Sequence, residues 1–312
     1  MAMVQYDLWN NCSNQCDFCL IYRKRILDKY EMIQRIDEII KNIDYVGERW
    51  KTQFSDGISL LGGELYFITD PDVQDKFMEL IDHIIDVILL PNSDKNPKYS
   101  TVTNGIYKPD FLFRVIDRIV TRAGIRYVDV NFSYDLKYRF HNEESRLLCL
   151  ENMRKFAERY NYLVGAQMVV TDYLIDKINN KEFDIKEFQM EIVPHSIVEF
   201  LYPHEIHTGK VLDDFQFTRS KFIKFLFWLK ENYYENFINY YYSITNSSIF
   251  KYTGLYINED WTVEIEPKLS DGKEIINPVC GHSVLYQCYK DSKECILCDI
   301  TKVKNDTNKE KF

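Results

Sequence analysis

Three cysteines lie close together in the segment NNCSNQCDFCLIY, residues 10–22. Cys12, Cys16 and Cys19 have the spacing Cys-x3-Cys-x2-Cys, which puts three thiols on one short loop. Structural zinc takes four ligands in a closed shell, whereas a cubane iron–sulfur cluster usually takes one thiolate for each iron. Three thiolates therefore fit a cluster with one iron left open to a small chelating molecule. A zinc site completed by a distant histidine is the alternative.

A second group of four cysteines has the spacing Cys-x7-Cys-x6-Cys-x2-Cys. Four thiolates suit one closed iron–sulfur cluster, and they suit structural zinc equally well. His282 could replace one of the thiolates at a zinc site. The spacing thus predicts a bound metal without deciding which one. The cysteines are Cys280, Cys288, Cys295 and Cys298.

The composition restricts the compartment and the partners of the protein. The 312 residues carry a formal net charge of −9, which argues against a broad nucleic-acid-binding surface. No apolar run approaches the roughly 18 residues of a membrane helix, and a signal-peptide pattern is absent, so we expect a cytoplasmic protein without a membrane partner. Thiols stay reduced there, so clustered cysteines indicate metal rather than disulfides. The isolated Cys149 has a helical apolar pattern around it and is expected in the core.

The elements that must position these thiols are short apolar segments alternating with longer amphipathic ones. Over residues 1 to about 203 the alternation predicts six strands and five intervening helices, with a further helix near residues 219–234. This order predicts an α/β fold with a parallel sheet, either an incomplete barrel or a doubly wound sheet. In both, ligands bind at the carboxyl ends of the strands. Helices are expected over residues 30–46, 72–90, 109–124 and 172–188, and around Cys149.

The pattern changes after about residue 243. Residues 251–269, KYTGLYINEDWTVEIEPKL, contain two alternating runs joined by Asn-Glu-Asp, which is typical of a β-hairpin. No long Pro, Gly or Ser linker precedes them, so we expect this region to pack on the core. We predict a core over residues 1–240, a Cys-rich extension over 241–302, and disorder over 303–312.

The first cysteine group resembles the signature loop of the radical S-adenosylmethionine (SAM) enzymes. It follows the first strand, as in that family, and has an aromatic residue, Phe18, before its last cysteine. Gly62, Gly63 and Glu64 follow the second strand and look like the family's Gly-Gly-Glu motif, which contacts the methionine amino group of SAM. Glycines let a backbone approach a ligand closely and a carboxylate complements an ammonium, although a tight turn explains the glycines equally well.

Further matches follow the third and fourth strands. Thr103, Asn104 and Gly105 are similar to the Thr-Asn-Gly of the family, although Asn-Gly is also a common turn dipeptide. Ser and Asp residues cap helices in many proteins, and an arginine can be a solvated charge. The order of the matches, one after each of the first four strands, nevertheless favours the family. The matches after the fourth strand are Ser133 and Asp135, where the family often binds the SAM ribose, and Arg139, where an arginine commonly meets the SAM carboxylate.

The resemblance implies a partial (β/α)6 barrel of the TIM type, covering roughly residues 3–235. It implies that Cys12, Cys16 and Cys19 hold a [4Fe–4S] cluster and that the loop around Phe18 contacts the adenine. SAM would be cleaved reductively to methionine and a 5′-deoxyadenosyl radical, with electrons from a donor such as a flavodoxin or ferredoxin. No side chain is assigned a catalytic role beyond the cluster. A glycine-rich adenine motif is missing from the fifth strand, which leaves further adenine contacts unassigned.

The second cysteine group resembles the C-terminal auxiliary-cluster extensions called SPASM and twitch domains, which also begin with a β-hairpin. It implies a second [4Fe–4S] cluster, with zinc as the alternative. Such extensions are common in enzymes that modify peptides or proteins, and this is the substrate class we expect. The alternatives are a radical SAM enzyme acting on a small molecule or nucleotide, and a metal-stabilised binding module without turnover.

Overall fold

The structure is a computed structural model that describes residues 3–12, 14, 16, 26–49, 57–201, 218–238, 240, 255–257 and 263–265. Several residues of the predicted sites lie outside these ranges, and the predictions made for them stay predictions. These are Phe18, Cys19, Cys280, Cys288, Cys295 and Cys298.

The described strands form one sheet in the order β6-β5-β4-β3-β2-β1-β7-β8. The first six are parallel, and each pairs with its neighbour in the sequence. Because a parallel neighbour requires a crossover, each pair is separated by at least one helix. This is the arrangement of a partial (β/α)6 barrel, and it confirms the predicted fold class. The strands are β1 Met3–Asp7, β2 Gly57–Leu61, β3 Lys98–Thr103, β4 Val128–Ser133, β5 Val164–Val169 and β6 Ser196–Leu201.

The crossover helices begin and end where local chemistry allows. Asp70, for example, accepts hydrogen bonds from the backbone N–H groups of Asp72 and Val73, and Pro71 occupies the first turn, so α2 begins there. One π-helical turn, Ile85–Leu89, extends α2. The helices are α1 Lys29–Arg49, α2 Pro71–Ile84, α3 Asp110–Arg122, α4 Glu143–Tyr160, α5 Asp172–Asn179, α6 Ile185–Glu187 and α7 Arg219–Asn232.

The single helix predicted over residues 172–188 is wrong in its middle. The chain leaves the helix after α5, and Lys181 adopts a left-handed φ of 59°. The carbonyl of Lys177 then accepts from the backbone N–H groups of Glu182 and Phe183, which closes the end of the helix. Asp184 starts α6 by accepting from the backbone N–H of Glu187. Two capping arrangements thus interrupt an apolar pattern that looks continuous.

The hairpin predicted within residues 251–269 is confirmed, and it joins the main sheet. Its strands, β7 Leu255–Ile257 and β8 Val263–Ile265, are antiparallel to one another. β7 pairs in parallel with β1, Gln5 lying opposite Tyr256 and Tyr6 opposite Ile257. β1, the strand that leads into the first cysteine loop, therefore has a hydrogen-bonded neighbour on both sides.

The core lies between the sheet and the helices. Ile58 and Leu60 of β2 and Phe77 and Ile81 of α2 are all fully buried in it. Cys149 is also fully buried, and burial raises the pKa of its thiol to about 12. This confirms its prediction as a core thiol. Within the described ranges, no helix is long and apolar enough to cross a membrane.

Candidate functional site

Two of the three predicted cluster cysteines lie just after β1. The Cys16 side chain is buried, and that of Cys12 is partly exposed. Asn14 lies between them in the sequence and donates a hydrogen bond to each sulfur. Its backbone N–H donates to Cys12 Sγ at 3.4 Å, and its Nδ2 donates to Cys16 Sγ at 3.1 Å. Asn14 thus presents N–H groups to both thiols.

Asn11, directly before the first cysteine, ties the loop to the start of α1. Its Oδ1 accepts from the Leu27 N–H at 2.9 Å, and its Nδ2 donates to the Leu27 carbonyl at 2.8 Å. The Asn11 side chain thus satisfies both the N–H and the carbonyl of Leu27, as a neighbouring strand would. Asn11 therefore fixes the distance between the two ends of the cysteine loop. A role for this residue could not be predicted, because an asparagine in a loop has no signature of its own.

Gly62 and Gly63 let the end of β2 lie against the backbone that precedes Cys12. The Gly63 N–H donates to the Trp9 carbonyl at 2.7 Å, and the Glu64 N–H donates to the Asn11 carbonyl at 2.8 Å. A Cβ on Gly62 would lie 2.3 Å from the Trp9 oxygen, and a Cβ on Gly63 would lie 2.2 Å from the Asn11 oxygen. Gly62 also has a φ of +145°. Only glycine fits this close approach of two backbones.

The Glu64 carboxylate points into the protein and joins the ends of β2 and β3. The side chain is 2% exposed. Its oxygens accept from the Asn104 backbone N–H at 2.6 Å, the Thr103 hydroxyl at 2.9 Å and the Tyr66 N–H at 3.3 Å. Burial raises the pKa of Glu64 to about 7, and these hydrogen bonds oppose the rise. The contact with the SAM amino group that the resemblance implies stays a prediction.

The segment after β3 reaches the cysteine loop through Asn104. Asn104 Nδ2 donates to Cys12 Sγ at 3.6 Å, while its Oδ1 accepts from the Ile106 N–H at 3.0 Å. The Thr103 hydroxyl, which bonds Glu64, also lies 2.6 Å from the Tyr107 hydroxyl. The Thr-Asn-Gly segment is therefore held by buried hydrogen bonds on one side and meets a thiol on the other.

The segment after β4 approaches Cys16. Arg139 Nη1 donates to Cys16 Sγ at 3.6 Å, and the Arg139 carbonyl accepts from Asn14 Nδ2 at 2.7 Å. The Asp135 carboxylate accepts from the backbone N–H groups of Lys137 and Tyr138, so it shapes this turn. Burial raises the pKa of Asp135, whereas those N–H groups and Arg139 lower it.

Ser133 is buried at the last position of β4, opposite Gln167 of β5. It lies on the same edge of the sheet as Asp135, since Ser133 ends β4 and Asp135 follows two residues later. Among the described residues of the cysteine loop none is hydrogen-bonded to Ser133, and its predicted ribose contact stays a prediction.

The structure thus brings most of the predicted site residues to one edge of the sheet. Within the part of the chain that the structure describes, no group of three or more His, Cys, Asp or Glu side chains could hold a metal, and Cys19 lies outside that part. The surroundings of the other two thiols nevertheless suit a thiolate-bound metal group, because amide and guanidinium N–H groups stabilise negative charge on sulfur. Sequence reasoning missed Asn14, although an asparagine between two closely spaced cysteines was the available signal.

No protein-family model and no curated protein matches the chain. Among solved structures, the crystal structure of SuiB from Streptococcus suis bound to S-adenosylmethionine is similar, with a TM-score of 0.42 and 14% sequence identity. The match covers 96% of this chain and 69% of SuiB. At this level of similarity the comparison establishes neither a family nor a function for the chain.

Proposed function

We propose that this chain is a radical SAM enzyme. In this proposal Cys12, Cys16 and Cys19 hold a [4Fe–4S] cluster whose open iron binds SAM. The observation that carries the proposal is the convergence of three segments, the ends of β2, β3 and β4, on the loop after β1 that carries Cys12 and Cys16. It is supported by the N–H groups directed at sulfur from Asn14, Asn104 and Arg139.

When bound, the cluster supplies one electron that cleaves SAM to methionine and a 5′-deoxyadenosyl radical. The protein contributes binding, orientation and the exclusion of water. Gly62 and Gly63 hold the end of β2 against the cysteine loop, and Glu64 fixes the end of β3 beside it. These contacts hold in place the backbone that leads into Cys12, and an oriented reaction requires such a fixed frame.

The side chains proposed to bind SAM follow the family resemblance. We assign the methionine end of SAM to Gly62, Gly63, Glu64 and Arg139. Asn104 belongs to the same group because it bonds both Glu64 and Cys12, and Thr103, which precedes it, also bonds Glu64. Glu64 would have to turn from its inward hydrogen bonds to meet the SAM amino group with its carboxylate. The ribose is assigned to Ser133 and Asp135, and the adenine to the loop around Phe18.

We further propose a peptide or protein as the substrate. The support is the spacing of Cys280, Cys288, Cys295 and Cys298 after a β-hairpin, which suits a second cluster or zinc. The pairing of β7 with β1 agrees with a C-terminal extension attached close to the first cysteine loop.

The deciding experiment is anaerobic reconstitution with iron and sulfide, followed by incubation with SAM and dithionite. We expect 5′-deoxyadenosine by chromatography from the wild type and none from Cys16→Ala. Cys149→Ala is the matched control, because it removes a buried core thiol and should keep both iron and product. The proposed enzymatic function would be excluded if the wild type made no more 5′-deoxyadenosine than Cys16→Ala and held zinc at both cysteine groups.

Iron and sulfide analysis of Cys298→Ala locates the second metal. If the second group holds a cluster, this variant loses about half of the iron and sulfide and still cleaves SAM. If the second group holds zinc, it loses zinc and keeps all of its iron.

A further inference from the structure

Two of the residues that direct N–H groups at Cys12 and Cys16 are asparagines whose side-chain amides are held in fixed orientations. We propose that Asn14 and Asn104 are positioning residues which donate hydrogen bonds to the two cysteine thiolates and so raise the reduction potential of the metal group bound there. The part of this inference that concerns the potential rests on the proposed function. The part that concerns the thiolates does not.

Asn14 is placed so that its amide can only donate to sulfur. Its side chain is 2% exposed, and Nδ2 bonds both Cys16 Sγ at 3.1 Å and the Arg139 carbonyl at 2.7 Å. A carbonyl accepts and never donates, so this second bond requires the NH2 group on that side and fixes the amide orientation. The backbone N–H of the same residue donates to Cys12 Sγ at 3.4 Å. One residue therefore addresses both thiols.

Asn104 is oriented in the same way by other partners. Its Oδ1 accepts from the Ile106 N–H at 3.0 Å, which leaves Nδ2 to face Cys12 Sγ at 3.6 Å. Its backbone N–H donates to the Glu64 carboxylate at 2.6 Å. Glu64 is buried and also accepts from the Thr103 hydroxyl, so its carboxylate holds the Asn104 backbone in place beside Cys12.

The effect on potential follows from charge. An N–H···S hydrogen bond strengthens as negative charge on the sulfur increases, and reduction of a thiolate-bound metal group increases that charge. Hydrogen bonds to sulfur and exposure to solvent are among the protein's controls on the potential of such a group. Since Asn14 and Cys16 are both buried, water cannot replace a lost donor at full strength. The donors therefore favour the reduced state.

The first test is a redox titration of the iron-reconstituted chain, followed by visible absorbance. For Asn14→Ala we expect the ratio of reduced to oxidised protein at a fixed potential to fall about tenfold, which is about 59 mV for one electron. For Asn104→Ala we expect a smaller fall in the same direction, because its hydrogen bond is longer and Cys12 is partly exposed. Asn92→Ala is the matched control. Asn92 is a buried asparagine whose Nδ2 donates to the Ile88 carbonyl at 2.7 Å, away from the cysteine loop, so its removal should leave the potential unchanged.

The second test reads the thiolates without iron. The chain is loaded with Co²⁺, and the thiolate-to-metal charge-transfer absorption of the first loop is taken as the difference from Cys16→Ala. Loss of an N–H···S bond raises the energy of the sulfur lone pairs, so Asn14→Ala and Asn104→Ala should move this band to longer wavelength. Circular dichroism checks that each variant is folded, and the two variants provide independent determinations.

The outcomes separate the inference from the proposed function. Shifts in both tests, absent from Asn92→Ala, support the whole inference. If the wild type takes up no iron but the Co²⁺ band shifts, the proposed function fails and the thiolate hydrogen bonds stand. An unchanged potential in the iron-loaded variants overturns the redox role, and an unchanged Co²⁺ band overturns the hydrogen bonds. A wild type that binds neither metal at this loop overturns both.

Discussion

Gly63→Ala should separate the end of β2 from the cysteine loop. A Cβ at this position would lie 2.2 Å from the Asn11 oxygen and 2.7 Å from the Asn11 carbonyl carbon. Real Cβ atoms keep at least 3.0 Å from such neighbours, so the two backbones must move apart by about 0.8 Å. Backbone atoms on both sides are held by hydrogen bonds, and neither side can yield by rotating a side chain.

The expected cost follows from the two bonds that join these backbones. The Gly63 N–H to Trp9 bond is 2.7 Å and the Glu64 N–H to Asn11 bond is 2.8 Å, and a movement of this size stretches both to the limit of a hydrogen bond. A buried donor that loses its partner costs roughly 1–3 kcal/mol. We therefore expect Gly63→Ala, which weakens both bonds, to lower the free energy of unfolding by about 2–6 kcal/mol.

Urea unfolding followed by circular dichroism measures this change, and iron analysis after reconstitution measures its effect on the loop. Gly124→Ala is the control. Gly124 has a φ of +112° and open space around it, and it precedes β4 at the opposite edge of the sheet. Gly124→Ala should lower the free energy of unfolding by about 1–3 kcal/mol through backbone strain, but the variant should keep its iron. The steric reasoning is refuted if the free energy of unfolding of Gly63→Ala lies within about 1 kcal/mol of the wild-type value and the variant holds the same amount of iron.

Three further outcomes are expected. Asn11→Ala removes both hydrogen bonds to Leu27, so it should lower the free energy of unfolding by about 1–3 kcal/mol and also lower the iron content. Urea titration measures the first effect and iron analysis the second. Unchanged values would contradict the bridging role of Asn11. Glu64→Gln tests a pH effect: because the folded pKa is raised to about 7 from 4.5, the stability that protonated Glu64 contributes is complete below pH 4.5 and is lost as the pH rises through 7. The variant cannot ionise, so its unfolding free energy relative to the wild type should increase by ~3 kcal/mol between pH 4.5 and 8, and a flat difference would argue against the raised pKa. Cys149→Ser, which puts a hydroxyl in a fully buried site, should be less stable than Cys149→Ala by about 1 kcal/mol in the same urea assay, and equal stability would contradict a dry core there.

The parallel strands could be predicted because apolar periodicity is a local property. Segments such as GISLLGG and YSTVTNG show both the strand and the candidate site residues at its end. Parallel pairing then brings those residues to one edge of the sheet. The break after α5 was missed because it depends on a left-handed Lys181 and on capping by Asp184, which single residues decide. A continuous apolar pattern gives no sign of either.

The hydrogen bonds of the candidate site could not be predicted because they join distant parts of the chain. Asn104 meets Cys12 and Arg139 meets Cys16 only after β1, β3 and β4 have taken their places in the sheet. The inward direction of Glu64 is a similar case, since the sequence shows a carboxylate after Gly-Gly but not the Thr103 and Asn104 donors that hold it.

The pairing of β7 with β1 places a condition on biosynthesis. β1 ends at Asp7, yet its partner on this side is not made until residues 255–257 have been added. Domains usually fold as units during synthesis, and contacts between residues this far apart form late. Until then β1 is an unpaired edge strand on one side, next to reduced thiols. The cysteine loop therefore reaches its final support only after residues 255–257 have been synthesised, and metal loading of the fully supported loop must follow that step.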